Sequence, residues 1–123
     1  MKEKILIIED DKFLRDLMEL KLKEGEYEVL TSVDGEEGLK TSKQEKPELI
    51  LLDIILPNMS GWDVLKALKQ DSDLANIPVI LLTNLGEESD VQKGLELGAV
   101  DYMVKAHFTP EEIITKVALV LKK

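Results

Sequence analysis

The sequence predicts a single α/β domain in which five strands of a mostly parallel sheet alternate with five helices. Three short runs contain only apolar residues: Ile5–Ile8, Leu49–Leu52 and Val79–Leu82. Apolar runs without polar alternation are typical of parallel strands that helices cover on both faces. Segments with helical periodicity separate the runs, so each strand leads into a helix. With 123 residues, 44% of them apolar, the chain is long enough for one core.

The elements follow one another in a regular β-α order. The first apolar run precedes a helix, a weaker strand at Tyr27–Leu30 precedes a second helix at 35–44, and Val100–Val104 forms the last strand. Thr109 begins the last helix, because a glutamate three residues later and a proline at the first helical position form a capping box. The apolar helix stripes are Phe13, Leu14, Leu17, Met18 and Leu22; Val64, Leu65 and Leu68; Val91 and Leu95; and Ile113, Ile114, Val117, Ala118 and Leu121.

The composition excludes several classes of function. The chain has 25 acidic and 16 basic residues, a formal net charge of −9, so neither direct nucleic-acid binding nor an anionic membrane is expected. It has no cysteine and one histidine, which excludes disulfides, thiolate sites and histidine-cluster zinc sites. No apolar run reaches the ~18 residues of a membrane span, and the segment from Met1 to Lys4 has no signal-peptide character. A cytoplasmic location is therefore expected.

Charged and hydroxyl side chains follow four of the predicted strands. Glu9, Asp10 and Asp11 come after the first strand, Asp53 after the third, Thr83 after the fourth and Lys105 after the fifth. In parallel sheets these ends meet at one edge, where ligands bind. Clustered carboxylates favour a hard divalent cation such as Mg²⁺. Together with a lysine and a hydroxyl group, they are the parts needed for phosphoryl transfer to an aspartate.

Two acidic residues in this set call for different explanations. Asp11 is expected to cap the first helix, a role that aspartate commonly fills. Asp53 directly follows four apolar residues of a predicted central strand, where an unpaired carboxylate would be costly. Asp53 is therefore the stronger candidate for chemistry.

The residues at these strand ends and their neighbours in the sequence resemble the receiver domain of response regulators, the phosphoacceptor module of two-component signalling. The resemblance covers essentially the whole chain and rests on four segments in order. They are Ile7-Ile8-Glu9-Asp10-Asp11, Leu51-Leu52-Asp53-Ile54-Ile55-Leu56-Pro57-Asn58-Met59-Ser60-Gly61, Leu82-Thr83 and Gly98-Ala99-Val100-Asp101-Tyr102-Met103-Val104-Lys105. The resemblance implies a flavodoxin-like doubly wound (βα)5 fold with strand order 2-1-3-4-5 and one receiver domain over residues 1–123.

The resemblance also implies a role for each site residue. Asp53 would be phosphorylated by a histidine kinase or a phosphotransfer protein. Asp10 would bind Mg²⁺, or Mn²⁺, directly together with Asp53 and the backbone carbonyl of Ile55, and Glu9 would hold the ion through water. Such a protein is a signalling phosphoacceptor and not an enzyme with an external substrate, since it assists only its own phosphoryl transfer and dephosphorylation.

The same resemblance implies a switch. Thr83 and Lys105 would contact the phosphoryl group, Thr83 would move inward, and Tyr102 would turn from exposed to buried. A partner would then bind the surface of the fourth helix, fifth strand and fifth helix. That partner is a downstream protein or an output domain, because the chain ends at Lys122-Lys123 just after its last helix.

Three departures from the family pattern carry expectations. Ala106 follows Lys105 where the family usually has proline, often in a cis peptide, so the placement of Lys105 is open. Asn84 replaces a small residue after Thr83 and narrows the site or adds a hydrogen bond. Ile55 and Leu85, two positions after Asp53 and Thr83, cannot orient an attacking water, which predicts a long-lived acyl phosphate.

Three alternative functions have different residue requirements. A flavin mononucleotide carrier needs a phosphate-binding loop after the first strand, where this chain has acidic residues. A magnesium phosphohydrolase needs cap elements for which 123 residues leave no room. A degenerate receiver, acting as a phosphorylation-independent protein-binding module, stays open because proline is missing after Lys105. We also expect the fourth helix to be marginal and movable, since Gly94 lies within it and it has few apolar anchors.

Overall fold

The computed structural model describes residues 2–122; Met1 and Lys123, the two ends of the predicted domain, lie outside the described residues. The strands are β1 (Lys4–Ile8), β2 (Glu28–Ser32), β3 (Leu49–Leu52), β4 (Val79–Thr83) and β5 (Asp101–Val104). The helices are α1 (Lys12–Glu24), α2 (Gly35–Glu45), α3 (Gly61–Gln70), α4 (Glu88–Glu96) and α5 (Pro110–Val120), with a short 3₁₀ helix at Lys105–His107.

The strands form one parallel sheet in the order β2-β1-β3-β4-β5, as expected. Alternate side chains of each strand enter cores on opposite faces. Leu6 and Ile8 of β1 pack with α2, α3 and α4, whereas Ile5 and Ile7 pack with α1 and α5. Helices on both faces explain why β1, β3 and β4 are apolar without alternation.

Several predicted boundaries and faces need correction. The second strand runs from Glu28 to Ser32 and not from Tyr27 to Leu30, and the fifth begins at Asp101 and not at Val100. Phe13 and Leu95 were assigned to buried stripes, but they are 78% and 47% exposed. Phe13 lies in the first turn of α1, where the helix begins at the edge of the sheet, so helical periodicity alone does not bury it.

The predicted helix caps are confirmed. Asp11 caps α1, because its side chain accepts a hydrogen bond from the backbone N–H of Leu14. Thr109 and Glu112 form the capping box of α5, with Pro110 at the first helical position. No helix in the described part of the chain is long and apolar enough to cross a bilayer.

Candidate functional site

The parallel register brings the predicted site residues to one edge of the sheet. Ile8 of β1 pairs with Leu52 of β3, and Leu52 pairs with Leu81 of β4. The residues after these strands therefore begin from the same level and surround a cleft of about 270 Å³. Among the described residues, the cleft is lined by Glu9, Asp10, Asp11, Asp53, Ile55, Asn84 and Lys105.

Asp53 lies at the base of this cleft and is only 5% exposed. Its Oδ1 accepts hydrogen bonds from the backbone N–H groups of Ile54 and Ile55, at 2.7 and 3.3 Å. Its Oδ2 accepts a hydrogen bond from Nζ of Lys105 at 2.8 Å. The buried carboxylate is thus held by backbone on one oxygen and by a cation on the other, which offsets the cost of removing it from water.

Gly61 closes the loop that carries Asp53. Its N–H donates to the carbonyl of Ile54 at 2.8 Å, so the chain returns directly beneath Asp53 before α3 begins. A β-carbon at this position would lie 2.1 Å from the carbonyl oxygen of Asp53 and 2.6 Å from Cα of Ile54. Because both obstacles are backbone atoms, only glycine fits, and the loop holds Asp53 at the cleft.

Lys105 joins two buried carboxylates. Its Nζ lies 2.7 Å from Oε1 of Glu9 and 2.8 Å from Oδ2 of Asp53. Burial alone would lower the pKa of Lys105, but its hydrogen bonds to the two carboxylates outweigh burial and raise it. All peptide bonds between residues 2 and 122 are trans, and Lys105 begins a 3₁₀ turn that continues through Ala106. The lysine reaches Asp53 although alanine stands in the place of proline.

Glu9 is more deeply buried than its sequence position suggested, with 3% of its surface exposed. One carboxylate oxygen binds Lys105, and the other accepts the N–H of Asp11 at 3.1 Å. Burial raises the pKa of Glu9 to about 7, and the negative charge of Asp53 adds to this, while hydrogen bonds from Lys105 and Asp11 oppose it. Burial therefore favours the protonated form of Glu9 in this structure.

Three carboxylates in the cleft have the chemistry of a divalent metal site. Oxygens of Glu9, Asp10 and Asp53 all lie within 4.8 Å of one another, and Asp10 is exposed to the solvent from which an ion would arrive. Oxygen donors at this spacing suit Mg²⁺ or Mn²⁺. Ile55, whose backbone carbonyl was a predicted ligand, lines the same cleft. The donor set therefore fits the expected metal.

Thr83 and Tyr102 meet at Leu85, a connection that the sequence did not reveal. Thr83 is fully buried, and its Oγ1 accepts the N–H of Leu85 at 3.4 Å. The hydroxyl group of Tyr102 donates to the carbonyl of the same residue. Tyr102 is in the buried position, with 8% of its surface exposed. The predicted switch residues are thus both bonded to one residue of the loop between β4 and α4.

Arg15 is a further residue that the sequence did not single out. Its guanidinium donates to the carbonyl oxygen of Glu9 at 2.9 Å, and its own N–H donates to the carbonyl of Asp11 in the first turn of α1. It ties the acidic loop to the helix that follows. The sequence signal that could have identified Arg15 is its position as a basic residue one turn after Asp11, the predicted helix cap.

Comparison with known proteins agrees with this geometry. The sequence profile of the response regulator receiver domain matches residues 5–118. The alkaline phosphatase synthesis transcriptional regulatory protein PhoP of Bacillus subtilis is 42% identical over 123 residues, which are all of this chain and 50% of that protein. The chain spans about half the length of the curated relatives that it matches.

Solved structures show the same fold over more than nine tenths of their length. The chemotaxis protein CheY4 of Vibrio cholerae superimposes with a TM-score of 0.90 at 28% identity, covering 98% of this chain and 99% of that one. The Mn²⁺-bound form of the response regulator Rcp1 superimposes with a TM-score of 0.84 at 31% identity, covering 94% and 91% of the two chains.

Proposed function

The chain belongs to the response regulator receiver domain family of two-component signalling, and from this premise we propose that Asp53 is its phosphoacceptor. The phosphoryl group would come from a histidine kinase or a phosphotransfer protein in a reaction that depends on Mg²⁺ or Mn²⁺. Phosphorylation would then change a surface that a downstream protein or an output domain binds.

The contact between Asp53 and Lys105 is the observation that carries this proposal. Oδ1 of Asp53 is held by two backbone N–H groups, which leaves Oδ2 as the oxygen that attacks phosphorus. As the new O–P bond forms, the bond from phosphorus to the donor nitrogen breaks and that nitrogen keeps the electron pair. Nζ of Lys105, 2.8 Å from Oδ2, is placed to move onto a phosphoryl oxygen and to balance its charge.

The acidic residues of the cleft would hold the metal. By the family pattern, Asp10, Asp53 and the backbone carbonyl of Ile55 would be the direct ligands, and Glu9 would act through a water molecule. The bound cation supplies charge neutralisation for the approaching phosphoryl group. The mutual proximity of Glu9, Asp10 and Asp53 within 4.8 Å supports this assignment, as does the Mn²⁺-bound form of the relative Rcp1.

Thr83 and Tyr102 would transmit the change. To reach a phosphoryl oxygen, the hydroxyl group of Thr83 must turn away from the N–H of Leu85, from which it now accepts a hydrogen bond. The carbonyl of Leu85 is held by Tyr102, so this movement alters the loop that leads into α4. The surface formed by α4, β5 and α5 is where we expect the partner to bind.

Incubation with acetyl phosphate and Mg²⁺, followed by intact mass measurement, tests the proposal. Wild-type protein should gain the mass of one phosphoryl group, and Asp53→Asn should gain none. Asp11→Asn is the matched control, because asparagine also caps helices and the side chain of Asp11 already accepts a hydrogen bond from the N–H of Leu14. No mass gain in the wild type would instead favour a receiver that binds its partner without phosphorylation.

A further inference from the structure

Helix α4 lies close to strand β5 at Gly94, which is buried in the last turn of the helix. A β-carbon at this position would lie 2.8 and 3.2 Å from Cδ2 and Cε2 of the Tyr102 ring. It would also lie 2.6 Å from Cδ1 of Leu81. Carbon atoms in cores are at optimal separation near 3.5–4.0 Å, so the Tyr102 ring and the Leu81 side chain together occupy the space that any side chain at position 94 would need.

The other end of Tyr102 is also fixed. Its hydroxyl group donates to the carbonyl of Leu85, in the loop that leads into α4. Burial raises the pKa of Tyr102 to about 12, and the negative charges of Asp90 and Asp53 add to this effect. The tyrosine therefore contacts α4 through its ring and the preceding loop through its hydroxyl group.

Helix α4 has few other attachments at its start. Within residues 2–122, Glu87 at the N-cap makes no side-chain hydrogen bond to the helix, unlike Asp11 in α1 or Thr109 in α5. Alanine is a better helix former than glycine, so glycine at position 94 weakens the helix itself. The close contact with Tyr102 is the feature of this position that offsets the weakness.

We propose that the Tyr102 ring packs into the space that glycine leaves free at position 94, which we call the seat. The absence of a side chain at this position sets the balance between the buried and exposed positions of Tyr102. A larger residue there would push the ring outward and release the hydroxyl group from Leu85. The consequence for signalling rests on the proposed function, in which Tyr102 belongs to the switch. The packing of the ring in the seat does not depend on the proposed function.

NMR on protein carrying ¹³C-labelled tyrosine rings tests the seat directly. In the wild type, Tyr102 ring protons should show nuclear Overhauser contacts to the α-protons of Gly94, and a soluble gadolinium chelate should relax them weakly. In Gly94→Ala the ring signals should relax more strongly and the pKa of Tyr102 should fall. Leu95→Ala, on the exposed side of the same helix, should change neither. A ring that stays shielded in Gly94→Ala overturns the proposal.

A double-mutant cycle covers the case in which Gly94→Ala folds poorly. In the wild-type background this substitution should lower the folding equilibrium constant about tenfold or more, since overpacked cores lose that much. In a Tyr102→Ala background the loss should be at least about threefold smaller, because only the contact with the ring is removed; the contact with Leu81 contributes to both losses and cancels in their ratio. Equal losses in the two backgrounds would show that the ring does not occupy the seat.

Phosphorylation separates this inference from the proposed function. Gly94 lies outside the cleft, so Gly94→Ala should still gain one phosphoryl group on Asp53 with acetyl phosphate. If even the wild type gains none while its Tyr102 ring contacts Gly94, the phosphoacceptor proposal fails and the seat stands. If the wild type is labelled while its Tyr102 ring shows no contact with Gly94, the seat fails alone.

Discussion

Replacing Glu9 with glutamine is expected to change how the stability of this domain depends on pH. Folding raises the pKa of Glu9 from the ordinary 4.5 to about 7, chiefly through burial. A carboxyl group whose pKa is raised binds its proton more tightly in the folded state, so its contribution is present at low pH and is lost as the pH rises through 7. This sign is opposite to that of a carboxylate whose pKa an ion pair lowers. Between pH 5.5 and 8 the loss amounts to about 2 kcal/mol.

Urea unfolding, followed by the fluorescence of Trp62, measures this dependence at pH 5.5 and 8 in the presence of a chelator. Glutamine does not titrate, so Glu9→Gln should flatten the profile by about 2 kcal/mol relative to the wild type. Glu45→Gln is the control, because Glu45 is 41% exposed and forms a surface ion pair with Lys4 at 3.3 Å. Such pairs contribute at most about 1 kcal/mol. A Glu9→Gln profile parallel to that of the wild type would refute the assignment.

Magnesium extends the same prediction to the metal site. The proton on Glu9 and a divalent cation compete for one cluster of carboxylates, whose oxygens lie within 4.8 Å of one another. Mg²⁺ should therefore stabilise the wild-type protein more at pH 8 than at pH 5.5. In Glu9→Gln the stabilisation should become nearly independent of pH over this range. Equal stabilisation of the wild type at both pH values would place Glu9 outside the metal site.

Three further predictions follow from the loops and from α4. Gly61→Ala should lower the free energy of urea unfolding by about 3 kcal/mol, because the new β-carbon would meet the backbone of Asp53. Gly86→Ala is the control: its β-carbon would have its nearest neighbour at 3.5 Å, so the free energy of unfolding should change by under about 1 kcal/mol. Hydrogen exchange should show the amides of α4 opening well before those of α5; equal protection would contradict a marginal α4. Phosphorylated Asp53 should persist, because Ile55 and Leu85 cannot orient an attacking water, and its decay within seconds without a phosphatase would count against this.

The position of the candidate site at one edge of the sheet was predictable from the sequence, because the carboxyl ends of parallel strands lie at the same edge. A continuous apolar run marks a strand covered on both faces, and the residue after it must emerge at the common edge. This reasoning placed Asp53, Glu9 and Lys105 around one cleft before any distance was known. The strand order was implied by the family resemblance alone, and the structure confirms that order.

What the sequence could not supply are contacts that depend on distance between helices and strands. Gly94 was interpreted as a weak point of α4, whereas the structure shows that a side chain there would collide with Tyr102. The bond from Tyr102 to Leu85 spans 17 positions and involves a backbone carbonyl, which leaves no mark in side-chain pattern. Helical periodicity likewise assigned Phe13 to the core, because periodicity does not show where a helix extends past the sheet.

The charges at the cleft indicate why the proposed phosphorylation would need a divalent cation in addition to Lys105. With Glu9 ionised, the four carboxylates that line the cleft and the ammonium group of Lys105 give a net charge of −3. A phosphoryl donor is itself anionic, so this site would repel it unless a divalent cation offset most of the local negative charge. Lys105 cannot do this alone, since Glu9 and Asp53 already share it at 2.7 and 2.8 Å. In this structure the lysine holds the two buried carboxylates together, and its trans connection to Ala106 shows that proline is dispensable for that contact.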